Sequence, residues 1–334
     1  MNERIPTYMP TSNRPHNMGA ALDNDASRLD AVQKVTGRAT YGRDVYPKNM
    51  LVAAFIRSSV GKGTIRSSKV DDARRVEGVL EVELSREETT YAGQNLGHIV
   101  AESRHALERA MRALDLRWTA ERPDVAIGER TLDASPNFPD ADGVLEASYS
   151  TAVQTHCALE THGCVVEHDG TKATIWASTQ GTFATRDGLD DAIGLDRANW
   201  EVKCEYVGGG FGSKLNGPGK EGLTAVQLAA KYKRPIYFFV SRREDHLDTG
   251  NRPSSRTLVN VAYKKDGTIL GGEVRTFGAV GVARGGGGVR VPSGRYDLGA
   301  INGQHEDVRT NAGAPRPFRA PGWPQGAFAE ELML

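Results

Sequence analysis

The sequence is poor in cysteine, with only three residues, Cys157, Cys164 and Cys204, among 334. An iron–sulfur cluster usually takes four thiolates, so any such cluster is expected on another chain. Long apolar runs are also absent, because no stretch approaches the roughly 20 residues of a membrane span. The first 30 residues are polar and lack the apolar stretch of a signal peptide. We therefore expect a soluble, cytoplasmic protein with no membrane partner, exported, if at all, together with a signal-bearing partner.

A net charge of one sign is missing as well, since 42 basic residues balance 42 acidic ones. Such a balance creates no electrostatic field that would attract nucleic acid or an anionic membrane. Small molecules or other proteins are the expected partners. Glycine, by contrast, is abundant: 38 residues exceed the ordinary share of about 7%. The glycines gather in residues 208–222 and 278–288, which we predict to be loops.

The order of apolar patterns predicts two domains after a tail. Residues 1–27 are polar, contain prolines and lack periodicity, as in a disordered tail or one draped over a partner. Apolar runs of strand length and one helical stripe predict a small mixed domain over residues 28–123. A charged, proline-bearing connector then leads to a second domain over residues 142–334. Strands and helices in both segments predict an α+β fold.

The second domain begins with patterns that place its loops. Residues 174–178 form an apolar run of strand length, and residues 200–206 alternate apolar and polar side chains, which is typical of a half-buried strand. This second strand leads directly into a glycine-rich segment. Residues 223–232 have helix-forming composition, and residues 235–240 are predicted to be a buried strand.

The glycine-rich segment, residues 207–214, reads VGGGFGSK. Three consecutive glycines at a strand end let the backbone approach a large polar ligand and present bare amides to it. A phosphate-binding P-loop needs lysine followed by serine or threonine, but here Ser213 precedes Lys214. The dinucleotide-binding pattern fails too, because Ser213 stands where its third glycine belongs. The segment therefore indicates a cofactor other than NAD or a nucleoside triphosphate.

Residues 153–164 concentrate side chains that could ligate a metal, namely His156, Cys157, Glu160, His162 and Cys164. The two cysteines lack the short spacing of structural zinc sites, and extended residues of opposite parity face opposite sides of a sheet. We therefore predict a packed core strand with hydrogen-bonded histidines, with direct metal ligation as the less favoured alternative.

Two further side chains stand at suggestive positions. Gln180 follows the strand over residues 174–178, where a side-chain amide comes to the edge of a sheet. Arg319 lies among four prolines in residues 315–324, which stiffens the loop and can fix the guanidinium. Taken alone, each has a plain explanation: a turn amide that bonds its own backbone, and a solvated arginine.

Taken in order, these motifs resemble the molybdenum-binding subunit of the xanthine dehydrogenase and aldehyde oxidase family. Phe211 of the glycine segment follows Gln180 by 31 residues, and the sequence FRAPG comes later, at residues 318–322. The resemblance extends over residues 28–334. It implies an α/β-hammerhead domain over residues 28–123, followed by the first part of a molybdopterin-binding α+β domain.

The resemblance also implies roles for single residues. Gln180 would bond an oxygen ligand of the metal, and the backbone of Gly209, Gly210, Phe211 and Gly212 would line the metal and the pterin. The last two expected cofactor-binding residues, beside the metal, are Arg319 and Ala320. No side chain of this chain is expected to ligate the metal.

Members of this family hydroxylate a carbon with water as the oxygen source. The expected cofactor is molybdopterin, in its cytosine dinucleotide form, with iron–sulfur clusters and possibly FAD confined to partner chains. The general base, a glutamate, belongs to the second half of the family's subunit. We therefore expect no catalytic residue in this chain and a second-half partner, or else a truncated product.

Departures from the family pattern narrow the substrate. Leu215 and Pro321 replace residues that bind purines in related enzymes, and Ala320 stands where carbon monoxide dehydrogenases keep a cysteine. An aldehyde or an N-heteroaromatic compound is the expected substrate. The alternative is a non-catalytic module for cofactor binding or assembly, or a fragment without function.

Overall fold

The computed structural model describes residues 28–132, 137–290 and 295–334. The chain divides into two compact units, residues 1–40 and 41–334. The described part of the first unit contains one short helix, α1 (Ala31–Val35). The predicted tail, residues 1–27, lies outside the described residues.

The second unit holds the other elements, which are mixed strands and helices, as the sequence predicts. The strands are β1 (Leu51–Arg57), β2 (Gly63–Ser67), β3 (Val79–Leu84), β4 (Glu88–Thr89), β5 (Asn95–Ala101), β6 (Arg117–Ala120), β7 (Gly143–Thr151), β8 (Gly163–His168), β9 (Ala173–Ala177), β10 (Trp200–Lys203), β11 (Ile236–Phe239), β12 (Ser255–Tyr263), β13 (Ile269–Gly281) and β14 (Ala300–Arg309). The helices are α2 (Val70–Arg74), α3 (Arg104–Ala113), α4 (Thr182–Asp187), α5 (Asp190–Ile193), α6 (Gly219–Tyr232), α7 (Arg242–Asp248) and α8 (Trp323–Met333).

The largest sheet has seven strands in the order β10-β9-β8-β11-β1-β5-β3. It joins strands from both segments that the sequence assigns to separate domains, through the parallel pair β1 and β11. The shared sheet does not mark a boundary between the two segments. The division into residues 28–123 and 142–334 stays a prediction, and so does the hammerhead topology. A four-stranded sheet, β14-β13-β12-β7, and a three-stranded sheet, β4-β2-β6, complete the set among the described residues.

The inner strands β1 and β11 of the seven-stranded sheet are covered on both faces. Phe55 of β1 and Phe238 of β11 pack on one face with the apolar side chains of α6. Their neighbours Ile56 and Tyr237 point to the opposite face, which α2 and α3 cover. Strands covered on both faces carry continuous apolar runs rather than alternating ones, which is why the sequence shows β1 and β11 so clearly.

The smaller core belongs to the four-stranded sheet. Val259, Val261 and Val274 form it together with Met333 of α8. Helix α8 is anchored by its own backbone, since the hydroxyl of Tyr149 on β7 donates to the carbonyl of Leu332 at 3.1 Å. In the part of the chain that the structure describes, no helix has the length and apolarity needed to cross a bilayer.

The two glycine-rich stretches are not entirely loops, so that prediction is wrong at one end of each. Helix α6 already begins at Gly219, and strand β13 runs on to Gly281. A Cβ on Gly222 would lie 2.7 Å from Pro218, and one on Gly278 would lie 1.8 Å from the Gly287 carbonyl oxygen. These glycines stand inside a helix and a strand, where they allow neighbouring groups to approach closely. Composition alone does not distinguish this use of glycine from its use in turns.

The predicted core strand over residues 153–164 is also wrong for most of its length, because β8 begins only at Gly163. Cys157 has a φ of 49°, in the left-handed region, which an extended strand excludes. The predicted strand over residues 200–206 is confirmed, but it ends at Lys203.

Candidate functional site

Sheet topology gathers the sequence motifs at one edge of the seven-stranded sheet. Strands β9 and β10 are parallel, so Gln180 after β9 and the glycine segment after β10 leave the sheet at the same edge. Strand β8 is antiparallel to β9, so residues 156–162 reach that edge just before β8 begins. Strand β11 is antiparallel to β8 and leads there into α7. Loops at such an edge can converge on one ligand while the sheet holds them rigid.

We call residues 208–214 the glycine loop. The amide of Ser213 donates to the carbonyl of Gly210 at 3.0 Å, and its hydroxyl donates to the same oxygen at 2.8 Å. Gly209 and Phe211 have φ values of 94° and 55°, in the region that favours glycine. No acceptor for the amides of residues 209, 210 and 211 exists among the described residues. The loop thus presents three consecutive free donors.

Gln180 closes the loop from the side of β9. Its Oε1 accepts hydrogen bonds from the amides of Gly212 at 2.8 Å and Lys214 at 3.3 Å. These two donors fix which end of the carboxamide faces the loop, so the amino group points elsewhere. Gln180 is exposed, and its Nε2 has no acceptor among residues 28–132, 137–290 and 295–334. The side chain therefore keeps one free donor, on the side that faces away from Gly212 and Lys214.

The third predicted element also reaches this place. We call residues 315–322 the arginine loop. The amide of Arg319 donates to the carbonyl of Phe211 at 2.8 Å, and a Cβ on Gly212 would lie 2.4 Å from the Pro317 carbonyl oxygen. Ala320 has a φ of 56°, a rare conformation for a residue with a side chain. All seven residues predicted to bind the cofactor therefore lie together, although their roles stay predictions.

Stacking on Phe318 supports the arginine loop. The ring of His156 stacks on Phe318 with centroids 4.5 Å apart, and its Nε2 donates to the carbonyl of Pro317 at 2.8 Å. The guanidinium of Arg252 also lies over the Phe318 ring, 4.7 Å from its centroid. Burial lowers the pKa of His156, which favours the neutral ring with a proton on Nε2.

A buried ionic network lies beneath the glycine loop. The carboxylate of Glu160 accepts from the amide of Gly208 and from the hydroxyl of Ser178, both at 2.8 Å. The Lys214 ammonium donates to Ser178 Oγ at 2.6 Å and to the Glu160 carbonyl at 2.7 Å. Lys214 is 2% exposed, and burial lowers its pKa to about 8 against the opposing pull of the Glu160 carboxylate. The network fixes both ends of the loop.

A second buried pair holds the loop from α7. His162 Nδ1 lies 2.8 Å from Asp245 Oδ1, and His162 Nε2 lies 3.3 Å from the Ser213 carbonyl. Burial opposes the charged form of Asp245, but the hydrogen bonds from His162 outweigh it and lower the pKa of that carboxyl. The hydrogen-bonded histidines that the sequence predicts over residues 153–164 are therefore confirmed.

The sequence did not single out four residues of this support, namely Ser178, Lys214 as a buried cation, Asp245 and Arg252. One local signal was present for Asp245. Ser241 and Glu244 form a capping box that starts α7 and places Asp245 in its first turn. The others act through partners that are distant in sequence, which no local pattern shows.

This donor set fits an oxygen-rich anionic ligand. Three free backbone amides, the free amide of Gln180 and the exposed Arg319 side chain offer donors and no carboxylate. A Cβ on Gly210 would lie 2.4 Å from Gln180 Oε1, so the missing side chain lets Gln180 pack directly on the loop backbone. Backbone amides at such turns bind phosphate and oxo groups.

Fold and site together define a cofactor-binding α+β domain, and comparison with known proteins identifies its kind. The sequence profile of the molybdopterin cofactor-binding domain matches residues 120–334. The chain therefore belongs to that family.

Relatives extend the match to most of the chain. It is 25% identical to a xanthine dehydrogenase of Emericella nidulans over 363 residues, covering 94% of this chain and 26% of that protein. It is 26% identical to the nicotine 6-hydroxylase large subunit of Paenarthrobacter nicotinovorans, covering 92% of this chain and 45% of that protein. The fold matches quinoline 2-oxidoreductase from Pseudomonas putida 86 with a TM-score of 0.73 at 22% identity, covering 89% of this chain and 45% of that one. The chain thus spans between about a quarter and just under half of the length of these proteins.

Proposed function

We propose that this chain forms the first part of a molybdenum hydroxylase and holds molybdopterin between the glycine loop and the arginine loop. The observation that carries the proposal is that three consecutive loop amides and the amino group of Gln180 have no acceptor among the described residues. Donors without an acceptor call for an anionic partner. Family membership supplies the identity of that partner.

When bound, the cofactor supplies the redox centre that oxidises a substrate carbon with water as the oxygen source. The chain's own contribution is position and polarity. The amides of residues 209–211 and Gln180 Nε2 would donate to oxygen atoms of the bound cofactor. Arg319 and Ala320 of the arginine loop would hold it from the other side. The Glu160 and Lys214 network keeps the loop amides aimed in these directions without reorganisation.

The finer assignments rest on the same proposal. We propose the hammerhead topology for residues 28–123, the first cofactor-binding part for residues 142–334, the cytosine dinucleotide form of the pterin, and a cytoplasmic location. The chain covers less than half the length of its relatives, so we assign the general base and the rest of the cofactor shell to a further segment or a second-half chain. Electrons would leave through an iron–sulfur subunit and a possible FAD subunit.

For the substrate we propose an aldehyde or an N-heteroaromatic compound. Similarity to nicotine 6-hydroxylase and to quinoline 2-oxidoreductase, which are named for N-heteroaromatic compounds, supports the second class. Ala320 supports both classes against carbon monoxide, because a methyl group cannot provide the cysteine sulfur that the resemblance associates with that gas.

The proposed role of the glycine loop can be tested by adding a single methyl group to it. Gly210→Ala places a Cβ against the Gln180 carboxamide, within 2.4 to 2.7 Å of three of its atoms, and so drives the amide out of the site. We expect the assembly purified with this variant to lose most of its molybdenum, measured by elemental mass spectrometry, and its pterin, released and identified by mass. Gly285→Ala is the matched control, since its Cβ meets only ordinary contact at 3.6 Å. Unchanged metal and pterin in a folded Gly210→Ala assembly would remove the glycine loop from the site.

A further inference from the structure

Three side chains that can ligate a metal meet at β3, the last strand at the end of the seven-stranded sheet away from β10. Glu81 and Glu83 stand on β3, and the alternation of side chains along a strand puts both on one face. His98 of β5 is the register partner of Glu83, so its side chain leaves the sheet on the same face. One ligand atom from each of the three residues lies within 4.8 Å of the others. Within the part of the chain that the structure describes, no second group of this kind exists.

The His98 ring lies between the two carboxylates at a distance too long for a hydrogen bond to either. Its Nε2 is 3.8 Å from Glu81 Oε1, and its Nδ1 is 3.8 Å from Glu83 Oε2. Hydrogen bonds between nitrogen and oxygen span about 2.7–3.2 Å. The side chain is only 13% exposed, and its Nε2 is buried without a hydrogen-bond partner among the described residues. Buried polar atoms normally have a partner, so this nitrogen indicates a missing ligand.

A divalent transition-metal ion fits the gap between the ring and the carboxylates. Zinc binds imidazole nitrogen and carboxylate oxygen at about 2.0–2.2 Å, so two such bonds span up to about 4.2 Å. His98 Nε2 and Glu81 Oε1, 3.8 Å apart, can therefore lie on either side of one ion. The Glu83 side chain is 50% exposed and free to rotate onto the ion as a third ligand. The charges of the two glutamates together balance a divalent cation.

Helix α6 holds Glu81 in position. Lys231 Nζ donates to Glu81 Oε1 at 2.7 Å, and the hydroxyl of Tyr232 donates to Oε2 at 2.6 Å. Carboxylates that ligate a metal are commonly fixed by such hydrogen bonds, and each carboxylate oxygen keeps a second lone pair. Lys231 is 55% exposed, so its ammonium can move into water when a cation binds beside it. A cavity of about 420 Å³ along β3 has both glutamates in its wall and gives the ion and its water ligands access.

We propose that Glu81, Glu83 and His98 bind one divalent transition-metal ion of the zinc type, with water in the remaining position. A donor set of imidazole and carboxylates suits such ions, whereas Mg²⁺ favours an octahedron of oxygen atoms. The bound ion joins the edge strand β3 to β5, its one neighbour in the sheet. The proposal is independent of the function assigned to the glycine loop, because it needs neither molybdopterin nor a partner chain.

Zinc titration of the metal-free 334-residue chain tests the proposal, with the bound ions counted by elemental mass spectrometry and the affinity measured by calorimetry. We expect the unaltered chain to bind one zinc ion more than His98→Gln does. Glu83→Gln should bind that ion at least about tenfold more weakly, because a neutral amide oxygen is a poorer ligand than a carboxylate. His105→Gln makes the same change as His98→Gln at an exposed position of α3 and should bind zinc as the unaltered chain does.

A second thiol and imidazole pair does not affect the comparison. Cys157 Sγ lies 3.5 Å from His246 Nε2, and these atoms can also take up zinc. Both residues are present in the unaltered chain and in every variant, so their contribution cancels in the difference.

The Glu83→Gln variant decides the outcome even if His98→Gln does not fold. The Glu83 side chain is half exposed and makes no hydrogen bond within the described ranges, so its replacement should leave the fold intact. Zinc in excess should raise the urea midpoint of the unaltered chain more than that of Glu83→Gln, since a ligand that binds only the folded state stabilises it. Equal zinc content, affinity and midpoint shift in the two chains would overturn the proposal. Displacement of the zinc by an about hundredfold excess of Mg²⁺ would overturn the assignment to a transition metal.

Discussion

Lys214 makes the stability of this chain depend on pH in an unusual direction. Burial lowers its pKa from 10.5 to about 8 in the folded chain. Between these values the unfolded chain binds the proton more tightly than the folded one does, so stability increases as the pH increases. Most acidic groups on the surface titrate at lower pH, so they do not obscure the effect of the Lys214 ammonium between pH 8 and pH 10.5.

The size of the effect follows from the pKa difference. A difference of about 2.5 pKa units corresponds to a cost of about 3 kcal/mol for keeping Lys214 buried at neutral pH. Integration over the titration shows that this cost decreases by about 2 kcal/mol as the pH increases from 8 to 10. Cys204 acts in the opposite direction, because burial raises the pKa of its thiol. The measurement must therefore be a difference between two chains that share Cys204.

Urea unfolding of the unaltered chain and of Lys214→Met, followed by tryptophan fluorescence at pH 7, 8, 9 and 10, provides that difference. We expect the free energy of unfolding of the unaltered chain to increase relative to the variant by about 2 kcal/mol from pH 8 to pH 10. Lys172→Met, at an exposed position, should leave the pH dependence unchanged. A constant or decreasing difference would refute the reasoning and show that Ser178 and Glu160 keep the ammonium charged throughout.

Two further predictions concern the frame of the site. Gly212→Ala should lower the free energy of unfolding by about 1–3 kcal/mol, since φ at this residue is 114° and the new Cβ would lie 2.4 Å from the Pro317 carbonyl oxygen. The same change should make the arginine loop sensitive to limited proteolysis. An effect no larger than that of Gly285→Ala would contradict this prediction. Asp245→Asn should cost more stability at pH 5 than at pH 3, because a carboxyl whose pKa lies below 3.8 stabilises the fold above that value and loses the contribution as the pH falls. Equal losses at both values in urea unfolding would show that the charge of Asp245 is not what His162 needs.

The elements that the sequence predicted best are those with a single local cause. Strand β11 is buried on both faces and reads as an unbroken apolar run, and α6 carries helix formers with an apolar surface. The glycine loop was also evident, because three adjacent glycines have few uses at a strand end. Its approach to Gln180 and Arg319 was expected from the resemblance and not from any local pattern.

The supporting network could not be read from the sequence, because each contact joins distant positions. Glu160 meets Gly208 and Lys214 only after β8, β9 and β10 have paired, and Arg252 meets Phe318 across 66 residues. Residues 153–162 show the limit clearly. Their composition suggested a strand or a metal site, whereas the left-handed turn at Cys157 aims each polar side chain at a separate protein partner.

The pairing of β1 with β11 has a consequence for synthesis. Leu51 lies opposite Ile236, so the interior strand β1 lacks one of its two neighbours until 185 further residues have been made. At about 5–20 residues per second this delay lasts roughly 10–40 seconds. During this delay one edge of the apolar strand β1 is unpaired and can pair with strands of other newly made chains. We expect a chaperone that covers the unpaired edge of β1 during this interval to increase the yield of folded chain.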